Sequence, residues 1–111
     1  MMELKTVFWV DALKRRAESG LAAIYVSRRG DESAGAVLVK VVQGRDVVRL
    51  LVPQRDETGA RIWTVFRNGT VDESEIDAYC RKRADMDADI WVVEIEDRQG
   101  RHFLDEPVEE T

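Results

Sequence analysis

Apolar residues recur at two periods along the chain, and the switch between them marks the elements. Val10, Leu13 and Ala17 fall at helical spacing within residues 6–19, and Gly20 stands where a C-terminal cap belongs. Lys14, Arg15 and Arg16 lie toward the end of that segment, where cations suit the helix dipole. Val7, Phe8 and Trp9 widen the apolar surface beyond one stripe, and a helix apolar on most sides is covered on most sides. Strand-like runs follow at 21–28, 36–43, 46–53 and 60–67. A polar loop separates the first two, Gly44-Arg45 fits a two-residue hairpin turn, and Pro53 closes the third. Gln54 to Gly59 forms a longer hairpin loop, and Asn68-Gly69 ends the fourth strand. Asp72 and Glu75 have the spacing of an N-cap and its reciprocal partner. They open a second helix that runs to about residue 85, with Ile76, Tyr79, Cys80 and Arg83 on one face. Residues 90–96 predict a fifth strand, and Arg101 to Leu104 a sixth that pairs back on it. Asp105 to Thr111 predicts an acidic, frayed tail.

The order is α-β-β-β-β-α-β-β. Short loops between consecutive strands predict antiparallel pairing, and grouped strands predict α+β. The expectation is one domain over residues 1–111, an antiparallel sheet of five or six strands with two helices. At 111 residues about two-thirds of the chain's surface is buried on folding, enough for one core.

Charge and cysteine content remove several classes. A net charge of −5 argues against a general DNA or anionic-membrane binder. One cysteine excludes an intramolecular disulfide and a cysteine-rich zinc site. No apolar run reaches membrane-spanning length, and the N-terminal stretch stops at Asp11, so a cytoplasmic protein is expected. No Walker loop or dinucleotide fingerprint is present, and no cofactor is expected.

The run Asp87-Ala-Asp-Ile-Trp-Val-Val-Glu-Ile-Glu-Asp-Arg-Gln-Gly-Arg-His-Phe-Leu-Asp, with Gly35-Ala-Val-Leu-Val-Lys-Val, is distinctive. It resembles a small alphaproteobacterial family known only as domain of unknown function 1491. The resemblance covers nearly the whole chain, from the N-terminal helix to Leu104. It implies an origin and a size, and it transfers no functional residue.

The strands carry a surplus of apolar positions. Val37, Val39 and Val41 share a face with Trp91, Val93 and Ile95, and that face is wholly apolar. The opposite face is mostly apolar, with Lys40, Arg49, Glu94 and Glu96 set into it. A solvated sheet face would be polar at nearly every outward position. Two coverings are open: a helix on each face with the charges paired, or a second copy of the chain. The second gives a two-fold interface built from Phe8, Trp9, Leu38, Lys40, Arg49, Val92 and Glu94.

Chemistry is sparse. Asp85, Asp87 and Asp89, with Glu96 in the twelfth place, have the oxygen spacing of a calcium loop. Ile90 stands where that loop needs glycine for its sharp turn, which weighs against a metal. His102 is the only histidine, and Glu94, Glu96 or Asp97 could orient it as a general base across the C-terminal hairpin. Ser33 lacks a nucleophile elbow, and Cys80 lies on an apolar helix face. The leading expectation is a non-catalytic interaction or regulatory module, a homodimer with room for an unidentified protein partner. The alternative is a small hydrolase or metal-dependent enzyme using the carboxylate and histidine cluster.

Overall fold

The structure is a computed structural model that describes residues 4–69 and 71–109. Helix α1 spans Thr6–Ser19 and helix α2 spans Glu73–Met86. Six strands form one sheet: β1 (Ala23–Arg28), β2 (Val37–Gly44), β3 (Val47–Arg55), β4 (Arg61–Val65), β5 (Trp91–Glu96) and β6 (Val108–Glu109). A short 3-10 turn over Phe66–Gly69 follows β4. The α+β class, the two helices and a strand count within the expected five or six agree with the sequence.

The expected purely antiparallel sheet does not. The strand order is β1-β5-β2-β3-β4-β6, and the sheet is mixed. β1 pairs antiparallel with β5, β2 with β3, and β3 with β4. β5 lies parallel to β2, and β6 parallel to β4. The cause is α2. Two hairpins bring β4 back parallel to β2, and a 14-residue helix then carries the chain across the sheet to β5. Such a crossover joins parallel strands. β5 enters between β1 and β2, so those consecutive strands are not neighbours.

The predicted sixth strand is also relocated. Arg101 to Leu104 does not pair with β5; the last strand is Val108–Glu109 at the far edge. Of the tail expected to fray, residues 105–109 are held against the sheet, and Glu110 and Thr111 lie outside the described residues. Trp63 donates its backbone N–H to Pro107 O at 2.9 Å and its indole Nε1–H to Glu106 Oε1 at 3.0 Å.

Local chemistry explains smaller departures. The β2–β3 turn falls on Arg45-Asp46, one residue later than expected, with Asp46 at φ 65°. β3 runs through Pro53 because β2 stops pairing at Leu51, so the missing N–H costs no ladder bond on that side. Asp72 is the N-cap of α2, but its side chain makes no capping bond. Gly20 ends α1 at φ −84°, so it is not a left-handed cap. Phe103 lies against it: a Cβ there would sit 2.5 Å from Phe103 Cε1, so the ring would have to shift.

Each sheet face carries one helix. On one side Val10, Leu13 and Ala17 of α1 pack on Val39, Val41, Leu51, Trp63, Trp91, Val93 and Ile95. On the other side Ile76 and Cys80 of α2 pack on Leu38, Leu50, Val52, Ile90 and Val92. The surplus apolar face is covered from within the chain.

Candidate functional site

That covering decides the fate of the expected interface. Leu38 and Val92 lie under α2, Val92 at 7% exposure, so they are unavailable to a second copy. Arg49 is on the other face altogether. It is the register partner of Val41, on the α1 side, and its Nη2 donates to Gly100 O at 3.1 Å. Pairing the two strands one residue out of register swaps the faces, which is why sequence placed Arg49 with Lys40. Phe8 stays exposed at 56%, and Trp9 is half-buried.

Lys40 is 5% exposed and held by three carboxylates. Its Nζ lies 2.6 Å from Glu73 Oε2, 2.9 Å from Asp77 Oδ1 and 3.4 Å from Glu94 Oε1. Burial alone would lower the ammonium pKa; donation to Glu73 and Asp77, with the charge of Glu94, outweighs it and the pKa is raised. Lys40 is a fixed cation that pins the start of α2 to the sheet. Glu73 and Asp77 are its missed partners. The signal was present, because they stand four apart on a helix beside Ile76.

The four catalytic candidates each find a different partner. Glu94 faces Lys40, and Glu96 accepts from Tyr25 Oη at 3.1 Å. Asp97 is buried and held by Arg101, which donates Nε to Oδ2 at 2.9 Å, Nη2 to Oδ1 at 2.8 Å and its backbone N–H to Oδ2 at 2.8 Å. The guanidinium holds the Asp97 carboxyl down to about 2. His102 Nδ1 accepts the Leu104 N–H at 2.9 Å. A shallow groove of about 640 Å³ touches Glu96 and Asp97 but neither Glu94 nor His102.

The acidic connection is not assembled as a metal loop. Asp85 is on α2, Asp87 follows it, and Asp87 Oδ1 accepts the Asp89 N–H at 3.0 Å. Glu96 stands at the far end of β5, roughly 17 Å of strand beyond Trp91. Among the described residues no group of three or more His, Cys, Asp or Glu could hold a metal ion. Cys80 is a free thiol that burial pushes up to about 11, too high for a nucleophile near neutral pH.

A larger groove, about 860 Å³, was not expected from the sequence. It lies between the start of α1, residues 33–37, the end of β3 and β4. Trp9 stacks on Trp63 with ring centroids 5.8 Å apart, and the Arg61 guanidinium lies 5.7 Å from the Trp9 ring. Lys5 and Arg55 also line it. Its wall is locked: Thr6 donates Oγ1–H to Gly35 O at 2.8 Å, and Asp31 Oδ2 accepts from Ser33 N and Ala34 N. Trp9 was legible as an interface residue and Trp63 as an apolar anchor, but not as a stacked pair, because nothing local links residues so far apart in the chain.

Among the described residues no helix is long and apolar enough to cross a membrane. No curated protein matches the chain. A crystal structure of a DUF1491 family protein from Caulobacter crescentus CB15 is 51% identical, with a TM-score of 0.88; the match covers 98% of this chain and all of that one. An NMR structure of a DUF1491 family protein from the same organism is 50% identical, with a TM-score of 0.87, 99% coverage of this chain and 100% of that chain. A solution structure of a protein from A. tumefaciens is 30% identical, with a TM-score of 0.72 and 86% coverage of each chain. The family described as "Protein of unknown function (DUF1491)" matches residues 4–105, and the chain belongs to it.

Proposed function

We propose that the protein is a small, non-catalytic, cytoplasmic interaction module that forms a homodimer through the edge strand β1. The carrying observation is the backbone pattern at that edge. Trp91 N donates to Ala36 O and Asp97 N to Val42 O, so odd positions of β5 face β2. Even positions face β1, and the register pairs Glu94 with Tyr25 and Glu96 with Ala23. The N–H and C=O groups of Ile24 and Val26 therefore point outward, where the sheet ends.

Unpaired strand edges are templates for pairing, and this one lacks the usual protection before its bulge at Val26–Arg28. Two copies placed antiparallel about an axis through Tyr25 oppose Ile24 of each to Val26 of the other. Exposed Leu21, Tyr25 and Val26 supply apolar area beside that contact. The opposite edge, β6, has two residues and offers little. The buried free thiol of Cys80 suits a reducing compartment. The separate engagement of Glu94, Glu96, Asp97 and His102 weighs against the hydrolase alternative.

Light scattering over a concentration series tests the reading. The wild type is expected to run as a dimer, and Val26→Lys as a folded monomer whose melting temperature no longer depends on concentration. A wild type that stays monomeric at every concentration overturns it, as does a dimer indifferent to Val26→Lys.

A further inference from the structure

We propose that the groove between α1 and β4 binds an acidic segment of a partner protein, anchored by an apolar side chain against Trp9. The proposal is independent of the β1 edge. Three observations carry it.

The first is charge. On a chain of net charge −5, the groove is lined by Lys5, Arg55 and Arg61. Its one carboxylate among the described residues, Glu106, accepts the Trp63 indole N–H. Among the described residues neither Lys5 nor Arg61 forms an ion pair, although carboxylates outnumber cations in the chain. Guanidinium groups recognise carboxylates through paired hydrogen bonds.

The second is shape. The three cations come from three elements, the start of α1, the end of β3 and the start of β4. That spread fits carboxylates spaced along a chain better than one compact anion. About 860 Å³ suits several residues of peptide. Trp9, stacked on a buried Trp63 and beside exposed Leu4, offers an apolar anchor point in the same groove.

The third is rigidity. Thr6 N and Val7 N donate to Ser33 O and Glu32 O, tying the helix start to the loop wall. Asp31 carries the Trp91 indole N–H on its carbonyl at 2.8 Å. A wall fixed in advance spares a ligand the cost of ordering it.

The test titrates the full chain with a synthetic hexapeptide, Glu-Asp-Phe-Glu-Asp-Glu, and follows the indole N–H resonances by NMR. The expected result is a saturable shift of the Trp9 and Trp63 signals that weakens with added salt. Arg61→Glu should weaken binding at least tenfold. Lys5→Glu, at an exposed position, should weaken it with the fold intact. The proposal is overturned by no saturable shift, by equal binding of the peptide with lysine in place of its acids, or by binding unaffected in both variants. Equal competition by inorganic phosphate also overturns it, in favour of a simple anion site.

Discussion

Lys40 on β2 and Glu94 on β5 are register partners in the parallel ladder, with Nζ 3.4 Å from Oε1. The pair exists because β5 lands beside β2, and α2 then lays Glu73 and Asp77 over the same ammonium. Sequence shows a lysine interrupting an apolar run; tertiary structure makes it the polar rivet of a buried face. Its raised pKa means that its contribution is present through neutral pH and is lost only in strong alkali.

Lys40→Met should cost about 2 kcal/mol in urea unfolding. It leaves Glu94 and the α2 carboxylates facing one another with no cation. Adding Asp77→Asn should recover part of the loss, because the two sites share a partner. A cost within about 0.5 kcal/mol would show that water screens the cluster fully.

Val92→Glu should destabilise the fold by about 3 kcal/mol or more, whatever the protein's state of association. Val92 lies beneath α2, so the new carboxylate is buried without a partner. A folded, stable variant with a changed particle mass would instead place Val92 on an intermolecular surface.

Asp97 sets an acid limit. Its carboxyl lies at about 2 against an ordinary 3.8, so in this range protons bind the unfolded chain first. The contribution is full above about 4 and falls as pH drops towards 2. Melting temperatures from pH 5 to pH 2 should fall less steeply for Asp97→Asn than for wild type. Parallel curves would remove Asp97 from the account.

Gly35 and Gly44 form a matched pair. A Cβ on Gly35 would lie 2.0 Å from the backbone oxygen of Asp89 and 2.9 Å from Trp91 Cδ1, whereas nothing lies within 4 Å at Gly44. Gly35→Ala should cost about 3 kcal/mol, since backbone must move. Gly44→Ala should stay within about 0.5 kcal/mol. Similar costs at both positions would refute the close approach.

The helices, the position of most strands and the two apolar sheet faces are written in local pattern, because these rest on periods of 3.6 and 2 within a few residues. Sequence also carried the family resemblance. Strand order, the parallel pairings and the site of β6 belong to tertiary structure, although a helix between β4 and β5 already carried the signal of a crossover. The face of Arg49 depended on strand register, which one residue of slip reverses. Partners distant in the chain were equally hidden: Trp9 with Trp63, Lys40 with Asp77, and Trp63 with Glu106. Local pattern reports which side chains need cover or a counter-charge. Only the path of the chain through space decides which residue supplies it.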